Sequence, residues 1–225
     1  MTILNGTFTA ELEALSNQVL NSLVVIEQER KGMIGKFFAG AGAGIIWSSN
    51  GQVITNNHVL GRNGLTVTLK DGRKFPGKVI GRDENCDLAL LEIDAKGLEA
   101  LPLANEAIRV GSLVFAFGHP LGQRNTVTRG IVSGMLHAHI RGRARRGISK
   151  DLPILRTDAM LAPGNSGGPL VNVRGELVGI NAMIMGGDQS LAIPISVIRD
   201  FVDDVESKGT QPKRETKTKP PEGVL

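Results

Sequence analysis

A chain of 225 residues is long enough to bury a substantial core, as one large all-β domain or as two small barrels that share an interface. Its single cysteine, Cys86, rules out an intrachain disulfide, and no apolar run approaches the ~18 residues that cross a bilayer. Twenty-six basic against 22 acidic residues give a net charge of +4, but the excess sits in residues 141–150 and 208–219, which points to a loop and a tail rather than a nucleic-acid-binding face.

Residues 9–20 are predicted as a short amphipathic helix, with Thr9 as its cap, Glu11 and Glu13 in its first turn, and Leu12, Leu15 and Val19 along one stripe. Before it, residues 1–8 lack the basic head and long apolar middle of a secretory signal. From Ser22 the period changes. Short runs rich in Val, Ile, Leu and Phe follow one another at 23–27, 37–47, 53–55, 65–69, 75–80, 88–93, 113–117, 126–135, 154–157, 170–173, 177–182 and 191–193. About a dozen strands at near-regular spacing, separated by Gly, Asn and Asp, predict antiparallel barrels or a sandwich. The stretch 101–111, with Pro102, Asn105 and Gly111, carries no strand signal and divides the strands into two halves. The expected organisation is a helical segment at 1–21, one half at 22–105, a second at 106–206, and a flexible tail at 207–225 rich in Lys, Thr, Pro and Glu. Residues 195–205 close the second half as a helix, with Ile198, Phe201, Val202 and Val205 at helical spacing.

Three short segments carry chemistry. Gly164-Asn165-Ser166-Gly167-Gly168-Pro169 sets a serine between glycines, in a turn whose amides stay open to a bound carbonyl. His58 follows a β-like run in Thr55-Asn56-Asn57-His58-Val59, and Asp87 opens the apolar run after Cys86. A serine hydroxyl needs a base to take its proton, an imidazole titrates in the right range, and a carboxylate on the other ring nitrogen fixes the tautomer. Ser166 is therefore the expected nucleophile, His58 the base and Asp87 its orienter, with the backbone N–H groups of Gly164, Asn165 and Ser166 as candidate oxyanion donors. The chain order His, Asp, Ser is that of chymotrypsin-class triads. His119 is read as supporting a turn, and His137 and His139 as one polar face of a strand. Neither a metal site nor a cofactor is expected. With no tyrosine and one tryptophan to stack on bases, nucleic-acid binding is not expected either.

The segments 55–59, 87–91 and 164–169 resemble the three signatures of trypsin-fold serine proteases of the HtrA (high-temperature requirement A) type. Further resemblance lies in Gly40-Ala41-Gly42-Ala43-Gly44, Val127-Thr128-Arg129-Gly130, Arg156-Thr157-Asp158-Ala159 and Leu191-Ala192-Ile193-Pro194, so that it covers about residues 20–205. The resemblance implies two six-stranded antiparallel β-barrels, an all-β fold with short terminal helices, and a cofactor-free endopeptidase of unfolded or damaged polypeptides in protein quality control. It also implies a periplasmic or other extracytoplasmic setting and a trimer built through N-terminal segments, although the stripe at Leu12, Leu15 and Val19 could equally pack on its own barrel. Substrate would add as a strand along 180–183, formed by Ile180, Asn181, Ala182 and Met183. The specificity pocket would be bordered by Met160, Leu161, Ala182, Met183 and Ile193, which favours aliphatic residues at the cut. Asn165 stands where digestive-type relatives have an aspartate that pairs with a newly cut N-terminus. Residues 141–150 fall where the family has a regulatory loop, and C-terminal PDZ domains, usual in the family, would follow about where this sequence ends, so that either the sequence stops at the protease or this member lacks the module. The competing reading is a protease-fold binding protein, a holdase or scaffold with its site at rest.

Overall fold

The computed structural model describes residues 6–32, 35–61, 64–139, 151–186 and 189–209. Helix α1 (Gly6–Ser22) leads into β1 (Leu23–Gly32), β2 (Gly35–Ile46), β3 (Gln52–Asn56), β4 (Leu65–Thr68), β5 (Lys74–Asp83) and β6 (Leu88–Glu92). These six strands close into a barrel in the order β1-β2-β3-β6-β5-β4. A second closed barrel is formed by β7 (Leu113–Gly118), β8 (Thr126–His139), β9 (Asp151–Thr157), β10 (Pro169–Val171), β11 (Leu177–Gly186) and β12 (Gln189–Pro194), in the order β10-β11-β12-β9-β8-β7. The resemblance's fold is the one found, and helix α2 (Ile195–Gly209) ends it. All the strand pairs are antiparallel, joined where possible by short turns.

Strands at the contact between the barrels are buried on both faces, which is why they read as unbroken apolar runs rather than as alternating ones. The period of two survives in where each side chain goes. In β6, Ala89 and Leu91 fill the first barrel's interior with Val24, Val53 and Val67, while Leu88 and Leu90 point into a core common to both barrels. In β7, Val114 and Ala116 fill the second barrel, while Phe115 and Phe117 join that common core. Leu177, Ile180 and Ile193 complete it from β11 and β12.

Both helices pack onto this shared core. Val19 is fully buried in it, with Leu12 and Leu15 packed against its edge, so the stripe of α1 is used at home. The helix starts at Gly6, which places Thr9 inside it rather than at its cap. α2 lays Val197, Ile198, Phe201 and Val202 on the same core, and it runs to Gly209, into the stretch expected to be tail. The link between β6 and β7 contains no strand, only a parallel bridge from Leu103 to Leu177. Cys86 is buried, and burial together with the nearby Asp83 charge pushes its thiol up to about 12, so it acts as packing and not as a nucleophile. Residues 141–150 and 210–225, and with them both clusters of basic residues except Lys208, lie outside the described residues.

Candidate active site

Register brings His58 and Asp87 together. β3 pairs with β6 so that Asn56 faces Leu88, and the residues just beyond that pair, one after β3 and one before β6, meet at the same barrel rim. His58 sits there in a 3₁₀ turn, Asn57–Val59, and Asp87 precedes Leu88 in a left-handed conformation with φ 54°. That conformation aims both ends of Asp87 at the histidine turn. Its carbonyl accepts the Asn57 N–H at 3.0 Å and the Asn56 side-chain amide at 3.0 Å. Its carboxylate accepts the His58 backbone N–H on Oδ1 at 2.9 Å and lies 2.7 Å from His58 Nδ1 on Oδ2. With a carboxylate on Nδ1, the neutral ring carries its proton there and leaves the Nε2 lone pair free. Asp87 is buried, whereas the His58 side chain is 49% exposed and faces the groove. Arg82 holds the turn from outside by donating Nε–H to Asn57 Oδ1 at 2.7 Å.

Ser166 comes from the other barrel, in the turn that joins β9 to β10. The turn is fastened across the groove: the Ala43 N–H on β2 donates to the Ser166 carbonyl at 2.9 Å, and Thr55 on β3 donates its hydroxyl to the Ala43 carbonyl at 2.7 Å. Thr55 lies three residues before His58, so the serine turn rests on the strand that leads to the histidine. Gly167 makes this approach feasible. A Cβ there would stand 2.1 Å from the Ala43 carbonyl oxygen and 2.2 Å from the Thr55 hydroxyl, and its φ of +85° suits glycine alone. The turn is also bonded to β11 through Gly167 N–H to Asn181 O at 2.9 Å and Asn181 N–H to Gly168 O at 2.9 Å. Ser166 Oγ donates to the Ala182 carbonyl at 3.2 Å.

Of the three amides expected to face an oxyanion, Asn165 is corrected by the structure. Its N–H donates to Ala162 O at 3.0 Å and closes the turn, while its buried side chain packs over Gly118. The N–H groups of Gly164 and Ser166 make no hydrogen bond among the described residues.

The substrate-binding expectations need a larger correction. Ile180 and Asn181 are paired with Ile193 and Ala192 on one side and tied to the β10 segment on the other, and all of Ile180, Asn181 and Ile193 are fully buried. They cannot offer a free edge or line an open pocket. Among the described residues, the edge of β11 that meets the serine turn makes its last backbone bond at Asn181, and from Ala182 onward its only contact with that turn is the Ser166 hydroxyl. Met160 is exposed and Leu161 packs in the second barrel's interior, while the Met183 side chain lies outside the described residues. Asp158, the sole acid between residues 156 and 166, is committed to the Ile131 N–H at 2.6 Å.

Several positioning residues escaped the sequence reading. Asn181 donates its side-chain amide to both Phe117 O and Pro169 O at 3.1 Å, pinning the strand under the serine turn. Asn56, Thr55 and Asn181 share one signal, a polar residue within or at the end of an apolar strand run, and all three are fully buried.

Two closed six-stranded barrels, with a His–Asp pair on one and a serine turn from the other docked beside it, define the trypsin-like class of peptidase folds, and residues 42–180 match the trypsin-like peptidase domain family. Relatives agree. The Synechocystis protein HhoA is 42% identical over 77% of this chain and 45% of its own length. The periplasmic serine endoprotease DegP of Salmonella typhimurium is 40% identical over 77% of this chain and 37% of its own length, and the zebrafish serine protease HTRA1B 39% over 90% and 42%. The chain belongs to the HtrA/Deg family, and it spans less than half the length of these relatives.

Proposed function

We propose that the chain is a serine endopeptidase that cleaves unfolded polypeptides through Ser166, His58 and Asp87. The observation that carries this reading is the 2.7 Å contact of His58 Nδ1 with Asp87 Oδ2, at the rim where the serine turn is bonded to Ala43. The resting hydroxyl points at Ala182, so it must first rotate toward His58 Nε2. His58 then takes the proton as Ser166 Oγ bonds to the scissile carbonyl carbon, and Asp87 stabilises the imidazolium. The carbonyl oxygen becomes an oxyanion held by the Gly164 and Ser166 N–H groups. Collapse breaks the C–N bond, His58 returns its proton to the leaving amine, and an acyl-serine remains. Water, deprotonated by His58, attacks that ester and the second collapse releases the acid and Ser166.

Substrate choice follows from the edge of β11 beyond Ala182, where an extended peptide adds as a strand through its backbone. Only a segment free of its own secondary structure can do so. With Asp158 turned to Ile131, the segment 156–166 has no other carboxylate to receive a basic side chain, which favours small aliphatic residues at the cut. Ser166→Ala should abolish cleavage of casein, and a peptide library should be cut after Ala or Val rather than Lys or Arg. Parental rates in Ser166→Ala would end the proposal, and cleavage mainly after Lys or Arg would end its specificity clause.

A further inference from the structure

The Pro163–Gly164 peptide decides whether the Gly164 N–H faces the groove, and little holds it. In a trans peptide the carbonyl and the N–H point in opposite directions, so fixing the Pro163 oxygen fixes the Gly164 hydrogen. The following peptide is held at both ends, by His119 N–H to Gly164 O at 3.2 Å and by Asn165 N–H to Ala162 O at 3.0 Å. The Pro163–Gly164 peptide is held only at its carbonyl, by the Leu121 N–H at 2.9 Å, among the described residues.

Leu121 makes that bond from an unfavourable place. It and Asn125 are left-handed at φ 52° and 62°, a conformation that Asn tolerates but that costs leucine roughly 1–2 kcal/mol. Leu121 is 78% exposed, so its side chain does nothing to hold it there. The Gln123 N–H closes the middle of the loop on Pro120 O at 2.8 Å, and His119 ties its two ends. Its ring is buried, and Nδ1 accepts the Asn125 N–H at 3.2 Å, which joins the end of the loop to its start. Burial, aided by the nearby Arg124 charge and opposed by the backbone of Val24, keeps the ring neutral at neutral pH, and the Asn125 N–H selects the tautomer in which Nδ1 is the acceptor.

We propose that the His119 imidazole is a positioning residue for the oxyanion turn: by accepting the Asn125 N–H it fixes loop 119–125, whose Leu121 N–H turns the Gly164 N–H into the groove. The inference rests on the endopeptidase reading of the same turn. His119→Leu fills the space but has no acceptor, whereas His119→Asn can place its amide oxygen where Nδ1 stood.

The test compares both variants with the parent on an aliphatic peptide amide and with a peptide aldehyde, which needs the oxyanion site. His119→Leu should lose ~10²–10³ in kcat, the usual effect of losing one oxyanion donor, with KM little changed and aldehyde affinity weakened by the same factor. His119→Asn should recover to within about tenfold of the parent. A folded His119→Leu with parental kcat, or a loss that His119→Asn does not mend, would overturn the proposal. Should His119→Leu not fold, ¹⁵N shifts of the parental imidazole decide: Nδ1 unprotonated at neutral pH supports the assignment and Nδ1 protonated refutes it. If the parent has no amidase activity but the Gly164 amide resonance moves in His119→Leu and not in His119→Asn, the endopeptidase reading fails while the positioning role stands.

Discussion

Asp87 combines an unfavourable backbone with a fully used side chain. Its left-handed φ of 54° is tolerated by Asp and Asn better than by most residues, and four hydrogen-bonded or ion-pair contacts to residues 56–58 repay it. Asp87→Asn should therefore fold normally yet lose ~10⁴ in kcat, because an amide stabilises the wrong tautomer of His58; steady-state kinetics beside a thermal melt checks both halves. His119 makes a separate prediction for pH. Its pKa falls to about 4 on burial, below the ordinary value of 6.5, so between these values the unfolded chain binds a proton that the folded one does not. Stability should then drop by roughly 3 kcal/mol as pH falls from 6.5 to 4, and urea titrations of His119→Asn should lack this component of the slope. His58, Asp87 and Ser166 were legible as chemistry because each is a reactive type in a revealing setting. Asn165 and Asn181 were not, because whether a backbone amide or an amide side chain points inward or outward depends on bonds to residues far away in sequence.

Among elements, the serine turn is a loop bonded to β2 through Ala43 and to β11 through Asn181. Gly167→Ala should cost about 2–4 kcal/mol, since both the φ of +85° and the contacts with Ala43 and Thr55 exclude a methyl group. Its unfolding midpoint in urea should drop accordingly, and a midpoint equal to the parent's would refute the tight docking of the turn. All twelve strands could be read from runs of apolar residues, because a run between Gly and Asn signals is a local property. Their ends could not: β5 continues through Asp83 because Leu88 pairs with it, and β1 continues through Gly32 because Gly35 does. The substrate edge was misplaced for the same reason. Ile180 and Asn181 look like a strand with a free side, but Pro169 of β10 covers Ile180, and Gly167 and Gly168 just before that strand bond to Asn181.

At the scale of the molecule, the core shared by both barrels and both helices makes the groove a product of global folding. Sequence alone left a sandwich and a pair of barrels open, and only the family resemblance chose between them, since barrel closure depends on β1 meeting β4 and β7 meeting β10 across two intervening strands each. A cut in that shared core should be felt at the site: Ile180→Ala should lower stability by about 2–5 kcal/mol and still give one cooperative transition. The central claim is that His58 and Asp87 of one barrel activate Ser166 of the other. It is tested most directly by the rate at which a fluorophosphonate modifies the protein, read by mass spectrometry of the peptide that contains Ser166. The account predicts one adduct per chain, on Ser166, formed at least ~10³-fold more slowly in His58→Ala. Equal rates in the two proteins, or an adduct elsewhere with Ser166 untouched, would contradict it.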